Sequence, residues 1–432
     1  MRKNILILDT GKEWGGGTNS LLELLKRIDR RNYKFTALFY CNCNKSDESD
    51  IKTEVEKLGI DFLLLDRDNQ PASAKILKEF GRILLFFNRM LRKLWIFGVD
   101  YFFRIKKNAE SITKLINDLN IDLIYMNNQP STNLEGIIAA KNTGIKSLLH
   151  SRIEAELNFF EINAANKWLT KMICVSEGVK DSFIKQGVNS SKCVVVHNGI
   201  DTTITPAVSP DKTRQELGIK DDEVLIGAVG SLVKRKRFDD LIEAISYLRT
   251  QNLPTGQTGT EHRTQTTDNP PIPPLLKGGE GGFLNKIKCI IVGEGPEREY
   301  LQGEIDKNKL NDRVILTGFK SDAISYINAM DIFILPSERE GFPRVILEAM
   351  FMEKPVIASR IAGPAELIIN GQTGFLFQTG SIKEIAHCIS ILLSSAQSRR
   401  EMGQTGKKRI IENFPIEKYI KQVSRVLAEV AG

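Results

Sequence analysis

The stretch from Asp331 to Phe377 decides the fold; it begins D-I-F-I-L-P-S-E-R-E-G-F-P-R-V-I-L-E-A-M and ends G-Q-T-G-F-L-F. Its first apolar run ends at Leu335 and has the length of a buried strand, and a polar loop follows it. Pro343 is well placed in the first turn of a helix, where the missing N–H is not needed. A second apolar run covers residues 356–358. This order of strand, loop, helix and strand predicts a parallel α/β sheet.

The same alternation of short apolar runs and amphipathic segments continues in both directions along the chain. It predicts an α/β protein with two doubly wound, Rossmann-like lobes and a ligand cleft between them. We predict a first lobe at residues 1–204, a second at 205–414, and a C-terminal helix at 415–432 that could cross back to the first lobe. The predicted strands are 5–8, 35–40, 62–65, 123–126, 147–150, 172–175 and 194–196, followed by 224–229, 287–292, 314–316, 332–335 and 356–358.

One segment, residues 254–283, interrupts this pattern. It contains N-P-P-I-P-P-L-L-K-G-G-E-G-G and almost no periodic hydrophobicity. Because surface loops tolerate long additions at low cost, we predict a disordered low-complexity insertion between a helix and the next strand.

Composition excludes several classes of protein. The 60 basic and 53 acidic residues give a net charge of +7, too small and too scattered for a nucleic-acid footprint. The six cysteines include no C-x-x-C pair, so we expect reduced core thiols. No apolar run is long enough to span a bilayer, and residues 5–8 are too few for a secretory signal. These features predict a cytoplasmic protein.

Two carboxylates in the opening stretch are candidates for ligand binding. Glu340 lies after the strand that ends at Leu335, and Glu348 lies eight residues further on, inside the predicted helix. Between them a helix N-terminus can hold an anion, and a carboxylate can accept hydrogen bonds from sugar hydroxyls. On spacing alone, two solvated surface charges are the simpler interpretation.

In its full context, E-G-F-P-R-V-I-L-E-A-M resembles the Glu-x7-Glu signature of glycosyltransferase family 4, the glycosyl transferases group 1. These are retaining enzymes with the GT-B fold, and the resemblance extends over nearly the whole chain apart from the insertion. It implies that Glu340 contacts the donor sugar and that Glu348 binds the nucleotide ribose. It also implies that the sugar and phosphate site lies against the main chain of Gly341, Phe342, Pro343 and Arg344, although Pro343 has no N–H to donate.

A second candidate site is G-S-L-V-K-R-K-R-F, directly after the strand at 224–229. Gly230 permits close backbone approach, and the lysines supply the positive charge that a diphosphate needs. Lys236 matches a lysine of the family, but Ser231 stands where the family usually has an arginine. Lys234 or Arg235 could compensate. The alternative is a solvated basic run before a helix.

A third candidate site lies in the first lobe. Gly16 and Gly17 belong to a glycine-rich turn after the first strand, and they resemble the family loop that closes over the donor diphosphate and acceptor. His150 ends another strand, and the resemblance implies that it touches the donor sugar near the reacting carbon. The simpler interpretations are a tight connection and a structural histidine.

Asp66-Arg67-Asp68 raises a rival hypothesis, since an Asp-x-Asp pair holds the metal in glycosyltransferases of the other major fold. The rest of that fold is not predicted here, and the histidines are scattered. We therefore expect no metal and no cofactor besides the nucleotide diphosphate sugar, which is a co-substrate.

The segment at residues 83–103 carries apolar side chains at helical spacing with basic residues elsewhere on the helix. We prefer the interpretation that its apolar face packs into the first lobe. The alternative is that it lies on an anionic membrane surface, with the protein peripheral at the inner face of the plasma membrane.

Together these features predict a metal-independent, retaining glycosyltransferase of the hexosyltransferase type (EC 2.4). It would move a hexose from a nucleotide diphosphate sugar to a saccharide or lipid-linked acceptor in cell-surface polysaccharide synthesis. A nucleotide-sugar epimerase of the same fold and a catalytically silent nucleotide-sugar-binding protein remain as alternatives.

Overall fold

The computed structural model of the protein describes residues 2–12, 14–46, 49–65, 71–250 and 286–432. The chain divides into a first unit, Met1–His197 with Ile420–Gly432, and a second unit, Asn198–Tyr419. The division falls seven residues before the predicted one, because Ile200 exchanges backbone hydrogen bonds with Phe414 and Ile416 of the second unit. The predicted insertion at 254–283 and the Asp66-Arg67-Asp68 pair lie outside the described residues.

The first unit is built on a seven-stranded parallel sheet in the order β5-β2-β1-β6-β7-β8-β9. Strands β3 and β4 form a separate antiparallel ribbon. The strands are β1 (Lys3–Asp9), β2 (Tyr33–Phe39), β3 (Asn44–Ser46), β4 (Ser49–Asp50), β5 (Asp61–Leu64), β6 (Leu123–Asn127), β7 (Lys146–Ser151), β8 (Lys171–Cys174) and β9 (Cys193–Val195).

Helices connect these strands, as parallel neighbours require. A π-helical segment, Tyr101–Ile105, joins the fourth helix to the fifth. The helices of the first unit are α1 (Gly16–Arg27), α2 (Ile51–Glu56), α3 (Ala72–Leu84), α4 (Arg89–Asp100), α5 (Lys106–Asp118), α6 (Leu134–Thr143), α7 (Phe159–Trp168) and α8 (Glu177–Lys185).

The second unit contains a six-stranded parallel sheet in the order β12-β11-β10-β13-β14-β15. Its strands are β10 (Val224–Val229), β11 (Ile287–Val292), β12 (Val314–Gly318), β13 (Ile332–Leu335), β14 (Val356–Ser359) and β15 (Gly374–Phe377). Its helices are α9 (Pro210–Glu216), α10 (Phe238–Thr250), α11 (Arg298–Lys307), α12 (Ala323–Ala329), α13 (Arg344–Phe351), α14 (Ala362–Leu367), α15 (Ile382–Ser394) and α16 (Ala396–Asn413). The last helix, α17 (Ile416–Ala431), starts in the second unit and ends in the first.

Continuous apolar runs form these strands because both faces of a parallel sheet are covered by helices. All four residues of β13 are buried, for example, and burying one such side chain contributes about 1.5–3 kcal/mol. The predicted α/β class with two Rossmann-like parallel sheets is confirmed. Each predicted strand is present to within two residues at either end.

Burial of the cysteines departs in part from the prediction of core thiols. All six are free, but only Cys174, Cys289 and Cys388 are buried. The other three are half-buried, because they lie at the ends of strands or in loops. Within the described ranges, no helix is long and apolar enough to cross a bilayer.

The preferred interpretation of residues 83–103, one helix packed into the first lobe, is wrong. The chain turns between Leu85 and Asn88, so that α3 and α4 form a helical hairpin. Most apolar side chains near this turn are exposed, among them Ile83, Phe86 and Phe87. The turn interrupts the helix that the periodicity predicts, and both helices present apolar side chains to solvent.

Candidate active site

Two loops of the second unit meet at one edge of its sheet because β10 and β13 are neighbours. Ile226 pairs with Ile332, and Gly227 with Phe333. Since the strands are parallel, the loops that follow them start at the same edge. The amide of Glu338 in the second loop donates to the carbonyl of Arg235 in the first at 2.9 Å. This bond fixes the two loops against each other.

Lys236 and Glu340, both predicted site residues, form an ion pair across these loops. The Lys236 Nζ lies 2.5 Å from Glu340 Oε1, and the Ser337 hydroxyl donates to the same oxygen at 2.9 Å. The two side chains are only 10% and 11% exposed. Both described contacts of the carboxylate use Oε1. A nearly buried, charge-assisted pair therefore stands where the sequence predicts phosphate and sugar binding.

Gly230 and Arg237, which has a left-handed backbone conformation, shape the loop that carries Lys236. A Cβ at Gly230 would lie 3.3 Å from the Lys236 Cε, so a larger residue would press on the lysine chain. Arg237 closes the short 3-10 turn at Lys234–Lys236 with a φ of 50°. Its guanidinium donates to both carboxylate oxygens of Asp240, at 2.6 and 2.8 Å. The loop is thus held on both sides of the lysine.

Glu348 is the fifth residue of α13 and lies on a partly buried face of that helix. Burial raises the pKa of its carboxyl, and the nearby charge of Arg344 offsets part of this effect. The Arg344 Nη2 is 3.7 Å from Glu348 Oε1. Pro343 is the residue immediately before α13, not part of its first turn as predicted, because its ψ of 118° is extended. Glu340 and Glu348 therefore stand on the two sides of this helix start.

The main chain between these carboxylates is backed by other parts of the second unit. Helix α14 packs Gly363 against the backbone of Gly341 and Phe342. The Asn198 side-chain amide donates to the Phe342 carbonyl at 2.9 Å. The buried Phe342 ring contacts Phe414, with centroids 5.3 Å apart. These contacts hold the predicted phosphate-binding backbone in place.

Ser231 follows Gly230 directly, and its carbonyl accepts a hydrogen bond from the Val233 amide at 2.9 Å. Of the two residues expected to compensate for the serine, Lys234 is exposed and Arg235 is half-buried. Their roles toward a diphosphate stay predictions.

In the first unit, polar side chains collect at the carboxyl ends of the neighbouring strands β1, β6 and β7. The buried Asp9 accepts hydrogen bonds from the side chain of Asn127, from that of Asn128 at 3.1 Å, and from the Gly11 amide at 3.1 Å. Burial raises the pKa of Asp9, and the hydrogen bond from Asn127 offsets part of this rise. Arg152 Nε donates to Asn127 Oδ1 at 2.7 Å, which extends the network to β7.

His150 lies inside this network and is fully buried. Arg152 Nη1 is 3.2 Å from His150 Nε2, and the Tyr125 hydroxyl is 2.6 Å from Nδ1. A guanidinium can only donate, so Nε2 accepts and the ring proton belongs on Nδ1. Burial, with the charge of Arg152, lowers the pKa of His150 well below its usual value. In the first unit, both ring nitrogens of the predicted catalytic histidine thus have protein partners.

Gly16 and Gly17 begin α1, whose N-cap is Gly15. A Cβ at Gly17 would lie 3.4 Å from both Arg152 Cγ and Asn128 Oδ1, so this glycine borders the polar network. At Gly16 an added Cβ would meet no atom within 4 Å. The predicted glycine turn and the predicted histidine are therefore linked through Arg152.

Asp9, Asn127, Asn128 and Arg152 were not predicted as functional residues. One signal could have found all four: each polar side chain ends, or directly follows, a strand. Such positions lie at the edge where ligands of parallel sheets bind. Arg152 follows the end of β7 by one residue.

Two family models match the chain. The Glycosyltransferase Family 4 model matches residues 14–204, and the model of Glycosyl transferases group 1 matches residues 283–409.

Among curated relatives is the capsular polysaccharide biosynthesis glycosyltransferase CapM of Staphylococcus aureus, 27% identical over 57% of this chain and 58% of its own. Another is the UDP-Gal:alpha-D-GlcNAc-diphosphoundecaprenol alpha-1,3-galactosyltransferase of Escherichia coli, 25% identical over 73% of this chain and 78% of its own. A third, the N-acetyl-alpha-D-glucosaminyl L-malate synthase of Bacillus anthracis, is 26% identical over 54% and 53%. The match spans about half to three quarters of the length of these relatives.

Solved structures share the fold over almost the full chain. HepE of Anabaena, in complex with UDP and glucose, has a TM-score of 0.72 at 21% identity and covers 99% of this chain and 100% of its own. A glycosyltransferase from Rickettsia africae has a TM-score of 0.71 at 19% identity, covering 99% and 98%. With one matching model mainly in each unit, the chain belongs to the GT-B glycosyltransferases of the Family 4 and group 1 kind.

Proposed function

We propose that the protein is a retaining hexosyltransferase that takes a hexose from a nucleotide diphosphate sugar and transfers it to a saccharide or lipid-linked acceptor. The observation that carries this proposal is the nearly buried pair of Lys236 and Glu340 at the carboxyl edge of the second sheet. A buried ion pair is weak evidence for stability. Its position supports a functional role, because ligands of parallel α/β sheets bind beyond the carboxyl ends of the strands.

Each partner of this pair has a distinct task in the proposal. When a diphosphate enters, the ammonium of Lys236 compensates its negative charge, and Glu340 accepts hydrogen bonds from the sugar hydroxyls. The main-chain amides at the start of α13 add positive potential, and Glu348 accepts from the ribose. This arrangement supplies electrostatic stabilisation without a metal ion.

The proposed step keeps the configuration of the anomeric carbon. The bond between this carbon and the diphosphate oxygen breaks while the acceptor oxygen bonds to the same face of the sugar. The acceptor proton moves to the departing phosphate, which leaves as a nucleoside diphosphate held by Lys236. His150 and the glycine turn at Gly16 and Gly17 would serve the same reaction from the first unit.

The relatives favour a UDP-sugar as the donor and a role in polysaccharide or glycoconjugate synthesis. The Escherichia coli relative is named for UDP-galactose and a diphosphoundecaprenol acceptor, and HepE structures hold UDP or UDP-glucose. A lipid-linked acceptor would bring a cytoplasmic enzyme to the inner face of the plasma membrane.

A panel of UDP-, GDP- and ADP-sugars tests the proposal. A ligand that binds only the folded protein raises its melting temperature, so we expect a UDP-hexose to do so. With lipid-linked and free saccharide acceptors, the same donor should give a product of unchanged anomeric configuration. If a nucleotide sugar raises the melting temperature but no acceptor is glycosylated and no nucleoside diphosphate is released, a catalytically silent binding protein is indicated. Release of UDP with an altered free sugar indicates an epimerase.

A further inference from the structure

The hairpin of α3 and α4 exposes several large apolar side chains. At its turn, Ile83, Phe86, Phe87 and Met90 are 73%, 75%, 70% and 72% exposed. Contiguous exposed apolar patches of this kind mark interaction sites. We propose that this hairpin docks the protein on the surface of an anionic lipid bilayer.

Direct contacts between α3 and α4 hold the hairpin together, and its exposed apolar side chains are not needed for them. The Trp95 ring of α4 packs against Gly81 of α3, because a Cβ at position 81 would lie only 2.0 Å from the ring. The Trp95 indole donates to the Leu77 carbonyl at 2.8 Å, and Lys78 pairs with Asp100 at 2.7 Å. These contacts join the two helices and leave the apolar turn outside.

The apolar surface extends beyond the hairpin itself. Phe97 of α4 stacks on Phe160 of α7, with centroids 5.1 Å apart and planes 10° from parallel. The neighbouring Phe159 is 73% exposed. A surface formed by three helices can cover more lipid than a single amphipathic helix.

The charges around this surface fit an anionic partner. Residues 71–102 contain six basic and two acidic side chains. The two acids, Glu79 and Asp100, already pair with Arg82 and Lys78 of the hairpin. The positive surplus therefore lies on Lys75, Arg89, Arg92 and Lys93, of which Lys93 also contacts Glu156.

This combination distinguishes a bilayer from a second copy of the chain. In a symmetric dimer through the hairpin, like surfaces would meet, and the basic side chains of both copies would repel each other. Phosphate headgroups instead attract basic side chains, while aromatic and aliphatic side chains enter the boundary with the acyl chains. No helix of the described residues can cross the bilayer, so the hairpin would lie on it.

Vesicle sedimentation of the full chain tests this inference without any assay of glycosyl transfer. We expect binding to phosphatidylcholine vesicles that contain phosphatidylglycerol, little binding to phosphatidylcholine alone, and weaker binding as salt rises. F86S/F87S and R89E/R92E should each weaken binding by more than about tenfold. Trp95 fluorescence should shift to shorter wavelength on binding.

Matched variants in exposed positions away from the hairpin control for general loss of hydrophobicity or charge. Y300S/F319S removes two exposed aromatic rings of the second unit, and K212E/K220E reverses two exposed lysines of the same unit. Both should bind vesicles like the wild type, and circular dichroism should show that all four variants are folded. Wild-type protein that ignores anionic vesicles, or hairpin variants that bind as well as the controls, would overturn the inference. So would a self-association that F86S/F87S abolishes in a protein without vesicle binding.

Discussion

Gly363 and Gly341 approach so closely that a Cβ on Gly363 would stand 2.3 Å from the carbonyl oxygen of Gly341. Helix α14 therefore packs directly against the backbone that is proposed to bind the sugar and phosphate. The helix and the loop cannot both keep their places if Gly363 becomes any larger residue.

We expect Gly363→Ala to lower the free energy of unfolding of the second unit by about 1–3 kcal/mol, because overpacking displaces backbone. It should also weaken nucleotide-sugar binding, because the displaced residues are Gly341 and Phe342. Gly303→Ala is the control: Gly303 lies inside α11, and its added Cβ would meet no atom within 4 Å. That variant should be unchanged or more stable by up to about 1 kcal/mol. Calorimetry measures the stability of each variant, and ligand titration measures its affinity for the nucleotide sugar. If the two variants have the same stability and affinity, α14 does not support the binding backbone.

The pair of Lys236 and Glu340 can be tested with a double-mutant cycle. Lys236→Met or Glu340→Gln alone removes one charge and leaves the other nearly buried, so each should destabilise the protein by about 3–5 kcal/mol. The double variant removes both charges and should recover much of this loss. Turnover should fall by about a hundredfold or more in all three, because the proposed electrostatic groups are missing.

Stability and turnover therefore separate a structural pair from a functional one. A double variant that recovers both its stability and its turnover would show that the pair serves only the fold. Steady-state kinetics with the donor found by melting, beside urea unfolding, provides both readings.

Much of the fold could be predicted from the sequence because buried parallel strands are continuous apolar runs. The bounds of β10, β11 and β13 agree with the prediction residue for residue. Strand β15 is not among the predicted strands, because its G-F-L-F run is only four residues long. The hairpin of α3 and α4 was predicted as one packed helix, since periodicity shows which residues share a face but not what covers that face.

Prediction of the site stopped where long-range contacts begin. A glycine or a carboxylate after a strand is visible in the sequence, and Lys236 and Glu340 were singled out in this way. Their contact, 104 residues apart, depends on β10 and β13 being neighbours in the sheet. The contact of Asp9 with Asn127 likewise depends on β1 lying beside β6. Strand order is a property of the whole fold, so local patterns do not predict these partners.

Transfer activity should not depend on a divalent metal ion. In the proposed mechanism Lys236 and the amides at the start of α13 compensate the charge of the leaving diphosphate. We expect turnover with EDTA to equal turnover without it, and added magnesium to change it by less than about twofold. A chelator that abolishes turnover, with recovery on adding metal, would contradict this mechanism while leaving the family membership intact.

His150 should make the first unit less stable in mild acid. Burial and the charge of Arg152 hold the pKa of this histidine well below 6.5. Just below pH 6.5 the imidazole therefore stays neutral in the folded protein, while the same side chain takes up a proton in the unfolded chain. The unfolded state then binds more protons, and the free energy of unfolding falls as the pH drops below 6.5, by up to about 1.4 kcal/mol per pH unit. Above pH 6.5 the neutral His150 makes its full contribution to the free energy of unfolding.

His150→Gln removes this titration, so the stability difference between wild type and variant should be largest near neutral pH and should narrow as the pH falls. All three tryptophans, Trp14, Trp95 and Trp168, belong to the first unit, so urea unfolding followed by their fluorescence reports on the unit that holds His150. A difference that stays constant across this pH range would mean that the folded protein protonates His150 as readily as the unfolded chain does. The hydrogen bond from Arg152 to Nε2 would then be absent in solution, because a protonated ring has no acceptor nitrogen.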